Sequence, residues 1–135
     1  MGKRKGVRAG SRWPFTLKTK RRVPEYVPFP FFLAYGTAVL EKNGYDVMLI
    51  DAIAEGLDME DFLKKVKNFS PDLIVIETST PSFYNDLEIA KTLREEAQSF
   101  IAMCGPHVTV LPEEALKNDF IDFVFLGEYE YTLLD

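Results

Sequence analysis

Cysteine is almost missing from this sequence: among 135 residues only Cys104 carries a thiol. One thiol excludes an internal disulfide, and it excludes an iron–sulfur cluster held by this chain alone, which takes three or four thiolates. Histidine is as scarce, and His107 would lack the companion ligands that a metal site normally has. A lone loop histidine is more simply a hydrogen-bonding or packing group. Apolar runs stay far below the roughly 20 residues that cross a bilayer, and no basic-apolar-small leader precedes them. A soluble, cytoplasmic protein is the expectation. No Walker loop and no GxGxxG fingerprint follows any apolar run, which argues against nucleotide binding.

What is present fits one globular domain, since 47% hydrophobic and 27% charged side chains can build a core at this length. The net charge of −5 hides an asymmetry. Lys3, Arg4, Lys5, Arg8, Arg12, Lys18, Lys20, Arg21 and Arg22 all precede the first acidic residue, Glu25. Residues 1–30 therefore read as a basic arm containing a weak first strand, Gly6-Val7-Arg8-Ala9, and residues 31–135 as the α/β domain proper. A solvated tail explains the arm; an acidic partner, a phosphate-bearing ligand or nucleic acid are alternatives, nucleic acid the least favoured.

From Asp46 onward short apolar runs alternate with amphipathic segments, the pattern of βαβ units and a parallel sheet. Residues 31–43 read as a helix with Phe32, Leu33, Tyr35, Gly36, Val39 and Leu40 facing inward, stopped by Gly44, and residues 45–50 as a strand. Asp58 can cap a helix whose Met59, Phe62, Leu63 and Val66 share a face, and Ser70-Pro71 ends it. Residues 72–76 are β-branched and apolar enough for a buried central strand. A third helix is spaced by Phe83, Leu87, Ala90, Leu93 and Ala97. Strand 100–103, a Gly105-Pro106 turn, a short helix at 112–117 and strand 121–126 follow. Residues 128–135 begin a further helix that stops after about two turns, so the chain reads as the leading portion of something longer.

Open parallel sheets bind ligands beyond the carboxyl ends of their strands. The loops expected there are 9–14, with Ser11 and Trp13; 78–82, with Thr78, Ser79, Thr80 and Ser82; 104–109, with Gly105, Pro106 and His107; and 127–130, with Gly127 and Glu128. Glycines permit close backbone approach, and hydroxyls both donate to and accept from amides, so the lining suits a large flat ligand rimmed with amides. Each feature also has a plainer reading. Ser79 or Ser82 could simply cap the helix that starts at Phe83, and Cys104 could be a small buried hydrophobe. Glu128 and Glu130 diverge on a helix and make a poor acid/base pair.

Four stretches in this order, LAYGTAVLEKNGYDVMLIDA, FSPDLIVIETSTPS, CGPHVTVLPEEAL and FVFLGEYEYTLLD, resemble the amino-terminal cobalamin-binding domain of cobalamin-dependent radical S-adenosylmethionine proteins. The resemblance covers roughly residues 33–135 and is carried by the combination of GPH, PEE and GEYE. It implies a Rossmann-like (flavodoxin-like) parallel sheet with helices on both faces and a corrin ring over the strand ends. By position, Thr78, Ser79, Thr80 and Ser82, then Gly105, Pro106 and His107, then Gly127 and Glu128, would form the seat, with Ser11 and Trp13 carried over least directly. No DxHxxG motif is present, so bound cobalamin would lack a protein histidine as axial ligand. Cys104 stands where the family commonly has a second glycine, and no CxxxCxxC motif occurs. The resemblance thus implies a cobalamin module, not a complete catalyst. The iron–sulfur cluster and S-adenosylmethionine would belong to a partner domain or subunit absent from this chain. The alternatives are a regulatory or scaffold remnant without ligand and, more remotely, a flavodoxin-like or phosphate-receiving domain.

Overall fold

The computed structural model describes residues 29–135. The weak strand Gly6-Val7-Arg8-Ala9, the basic arm, Ser11 and Trp13 lie outside the described residues.

Three parallel strands carry the fold: β1 (Leu73–Glu77), β2 (Phe100–Cys104) and β3 (Phe123–Val124), in the order β1-β2-β3. Leu73 lies opposite Phe100 and Glu77 opposite Cys104, while Ala102 and Met103 face Phe123 and Val124. Bonds from Asp122 N to Ile101 O and from Phe125 N to Met103 O, both 2.9 Å, extend the short third strand at each end. Ile101, Ala102, Met103 and Cys104 are fully buried, as expected of a central parallel strand covered on both faces.

Helix α1 (Phe31–Lys42) precedes α2 (Met59–Phe69), and α3 (Phe83–Ala97) joins β1 to β2. Two short helices, α4 (Pro106–Val110) and α5 (Pro112–Leu116), join β2 to β3. Asp58 caps α2 as expected, its Oδ1 accepting from Asp61 N at 3.0 Å, and Ser70 closes the helix in the left-handed conformation at φ 55°. Val66 of α2, Phe83, Ile89 and Leu93 of α3, and Ile101 and Met103 of β2 share one core. At the sheet's amino end Arg94 donates to Ser99 O and Asp122 Oδ1, each at 2.8 Å, and Asp122 Oδ2 accepts from Ile101 N at 2.8 Å. That bridge fixes the end of α3 against the entry to β2.

The structure departs from the sequence reading in four places. Residues 45–50 form no strand among the described residues. A strand needs a backbone neighbour, and the expected first strand, residues 6–9, lies outside the described residues; residues 45–48 line a cavity of about 430 Å³ together with Leu73 and Val75 of β1. Residues 128–135 make a turn rather than a helix, held by Leu133 N to Tyr129 O and Leu134 N to Tyr131 O, both 3.0 Å. Helix α4 was not foreseen where the sequence suggested a turn. Pro106 at its first position has the φ a helix wants and no N–H to lose. Finally, Phe32 and Tyr35 of α1 are exposed among the described residues, and the inward face is Leu33, Gly36, Thr37 and Leu40.

Candidate functional site

Three of the four loops named from the sequence meet at the carboxyl ends of β1, β2 and β3. Thr78 N donates to Cys104 O at 2.8 Å, carrying the parallel ladder one step past Glu77. Gly105 lies against that step with φ 103°, and a Cβ there would fall 2.4 Å from Thr78 O. Only glycine lets the β1 and β2 loops approach so closely. Thr109 of α4 then links two loops, its hydroxyl donating to Gly105 O at 2.9 Å and accepting from Gly127 N at 3.0 Å. A Cβ on Gly127 would meet nothing within 4 Å, so that loop presents open backbone.

The four hydroxyls of residues 78–82 divide by burial. Thr78 is completely buried and donates to Asp86 Oδ2 at 2.7 Å. Ser79 and Ser82 are buried against each other, with Ser82 Oγ 3.2 Å from Ser79 N, Ser79 O and Ser79 Oγ. The expected cap on α3 is therefore not a side-chain bond; Ser82 supplies its backbone carbonyl to Asp86 N at 2.9 Å. Thr80 alone of the four is exposed. Its Oγ1 lies 3.1 Å from His107 Nδ1, a contact that crosses from the β1 loop to α4.

His107 is 6% exposed, and its ring stacks on Phe83 at 4.0 Å between centroids. Nε2 is buried without a hydrogen-bond partner and faces Glu114 Oε2 of α5 at 3.4 Å, too far for a good bond. His107 and Cys104 form no dyad. The Cys104 sulfur is buried, 3.8 Å from Ile76 O. Burial pushes its thiol up to about 12, with Glu77 adding to the rise and the Tyr129 hydroxyl opposing it. Such a thiol is a poor nucleophile. Burial likewise raises the Tyr129 phenol, the nearby Cys104 adding to it. Burial raises the Asp86 carboxyl to about 6, although Ser82, Thr78 and Asn85 hydrogen bonds hold it back.

Thr78, Ser79, Thr80, Ser82, Gly105, Pro106 and His107 thus form one contiguous structure, and Gly127 is tied to it through Thr109. Glu128 is exposed beside Gly127. Asp86 and Glu114 escaped the sequence reading, and Thr109 entered it only as the end of the 104–109 loop. Asp86 alone gave a signal, an acid one turn after Phe83 on the inward side of its helix. No group of three or more His, Cys, Asp or Glu residues that could hold a metal exists among the described residues. No helix there is long and apolar enough to cross a membrane.

The surface at the strand ends offers open backbone at Gly127 and an exposed hydroxyl at Thr80, groups that can meet a polar ligand rim. The 430 Å³ cavity lies elsewhere, along the flank of β1 between α1, residues 45–48, Tyr129 and Leu133. At the strand ends the polar loops converge instead and offer partners for a polar ligand rim.

A family model described as the B12 binding domain matches residues 20–135. An uncharacterized methyltransferase, PH0819, of Pyrococcus horikoshii is 36% identical over 121 residues, covering 88% of this chain and 26% of that protein. The cytidylyl-2-hydroxyethylphosphonate methyltransferase of Streptomyces wedmorensis is 32% identical, over 78% of this chain and 23% of its own length. The anaerobic magnesium-protoporphyrin IX monomethyl ester cyclase of Cereibacter sphaeroides is 29% identical, over 78% and 18%. The chain spans about a quarter or less of these relatives. Among solved structures, the N-terminal domain of the hypothetical protein TM0182 of Thermotoga maritima superposes with a TM-score of 0.55 at 24% identity, covering 81% of this chain and 88% of that one. That likeness supports the α/β fold with its parallel sheet.

Proposed function

The chain belongs to the B12-binding domain family, and from that membership we propose that it holds cobalamin over the carboxyl ends of β1–β3 for an enzyme whose catalytic part lies in another domain or subunit. The observation that carries this reading is the joining of the β1, β2 and β3 loops through Gly105, Thr109 and Gly127, with Thr80 exposed beside them. In this reading Thr80, Pro106, Gly127 and Glu128 face the corrin rim. Thr78, Ser79, Ser82 and Gly105 set the loop positions from beneath. Ser11 and Trp13, outside the described residues, are proposed as further contacts from their place in the sequence alone.

His107 is not an axial ligand in this reading, because its ring is packed on Phe83 with Nδ1 committed to Thr80. Cobalamin supplies methyl transfer or electron transfer when bound. This chain's residues bind it, orient it and shield one of its faces from water. The methyltransferase and cyclase names of the relatives favour a methyl-transfer or related radical reaction. A partner that binds S-adenosylmethionine and an iron–sulfur cluster would carry that reaction, since one buried thiol cannot hold a cluster. The setting is cytoplasmic.

Titration with hydroxocobalamin, followed by absorbance and calorimetry, tests the proposal. Saturable binding is expected, weakened at least about tenfold by Thr80→Trp, which obstructs the seat, an effect of about 1.4 kcal/mol. A folded wild-type protein that binds none would favour a scaffold that has kept the fold without its ligand, a reading motivated by the weak apolar pattern of residues 6–9 and the lack of a DxHxxG motif.

A further inference from the structure

The contact between His107 and Thr80 has a direction, and the surroundings of the ring fix it. A neutral imidazole carries one N–H, so one ring nitrogen donates and the other accepts. Nε2 is buried, unpaired and aimed at the Glu114 carboxylate, while Nδ1 is 3.1 Å from Thr80 Oγ1. Placing the proton on Nδ1 would leave two acceptors, Nε2 and the Glu114 carboxylate, facing each other in a poorly solvated space. Placing it on Nε2 points an N–H at the carboxylate and leaves Nδ1 an acceptor. Glu114 sits on the short helix α5 with its side chain 35% exposed and Oε2 3.4 Å from Nε2.

We infer that Glu114, through the Nε2–H tautomer of His107, commits the Thr80 hydroxyl to donate inward and so presents its oxygen outward as a hydrogen-bond acceptor for a carboxamide N–H on the ligand's rim. Glu114 and His107 are positioning residues, and Thr80 is the contact. This rests on the cobalamin reading for the identity of the ligand, but the order of donors within the protein does not. Phe83 contributes by stacking on the ring, which leaves the imidazole no freedom to turn its nitrogens elsewhere.

Because His107 is the only histidine, ¹⁵N-labelled histidine gives a spectrum with two ring nitrogens and no assignment problem. At mildly alkaline pH, without ligand, the expected result is a protonated Nε2 and an unprotonated Nδ1. A predominant Nδ1–H tautomer would overturn the inference. Replacing the half-exposed Glu114 by alanine should raise the share of the Nδ1–H form without unfolding the protein; an unchanged spectrum would remove Glu114 from the relay.

Hydroxocobalamin affinity supplies the second readout. Glu114→Ala and Thr80→Val should each weaken binding about three- to tenfold, the scale of one hydrogen bond. The double variant should be little weaker than Thr80→Val alone, whereas independent, multiplying losses would contradict a relay. A protein with the expected tautomer that bound no cobalamin would sink the ligand assignment while upholding the donor order.

Discussion

The two flanks of the sheet obey different rules. At the carboxyl ends of β1 and β2 every named polar group is placed by a neighbour: Thr78 by Asp86, Ser79 by Ser82, Thr80 by His107, and Gly105 by the Thr78 backbone. Along the outer side of β1 the described residues leave a cavity, Leu73 is 37% exposed, and the aromatic rings of Phe31, Phe32 and Tyr35 stand outward. The first region is built from short-range bonds between consecutive loops of the sheet. The second depends on packing between elements distant in sequence. Neighbouring polar groups thus fix the proposed seat, whereas apolar packing shapes the flank beside it.

The sharpest way to break this contrast is a single methyl group. Gly105→Ala puts a Cβ 2.4 Å from Thr78 O at φ 103°, and should destabilise the protein by about 4 kcal/mol or prevent folding. Gly127→Ala, with open space around it at φ 64°, should cost only about 1 kcal/mol. Chemical denaturation of both variants checks the ratio, and similar losses would mean that the two loops are equally tolerant.

Next in size is the core. Leu93→Ala removes a side chain that is 1% exposed, an expected loss of about 3 kcal/mol, against less than about 1 kcal/mol for Leu73→Ala on the open flank. Equal losses would show that the flank is as tightly packed as the centre.

Asp86 gives a pH signature of similar or smaller size. Burial holds its carboxyl at about 6 in the folded protein, above its ordinary 3.8, so the folded state binds the proton more tightly. Its contribution to stability is complete below the lower value and is lost as pH rises through the higher one. Relative to Asp86→Asn, the wild type should lose about 2 to 3 kcal/mol between pH 4 and pH 7, read from urea unfolding at each pH. A difference independent of pH would remove the buried carboxyl from the account. The smallest effect belongs to the cap on α2: Asp58→Ala frees Asp61 N and should cost about 1 kcal/mol.

The same division governs what could be read from the sequence. Strands β1 and β2 are continuous apolar runs with loops of small and hydroxyl residues after them, and the ligand-facing loops follow from that order without any contact being known. The α2 cap was visible because Asp58 acts three residues away. The fate of residues 45–50 was not visible, since an amphipathic stretch becomes a strand only if a neighbour pairs with it. Nor was the turn at 128–135, where the apolar pattern permits a helix but the bonds from Leu133 N to Tyr129 O and from Leu134 N to Tyr131 O close turns instead. Within the site, composition marked Thr78 and Thr80 alike, and only burial separates the hydroxyl held by Asp86 from the one that faces outward. Glu114 reaches His107 from the next helix, a relation that spacing does not reveal.

Hydrogen exchange followed by mass spectrometry, with and without saturating hydroxocobalamin, tests most directly where the ligand sits. Protection concentrated at residues 78–82, 105–110 and 127–128, with the residues lining the flank cavity unchanged, is the expected result. Protection confined to α1, residues 45–48 and the outer side of β1 would contradict a seat at the strand ends.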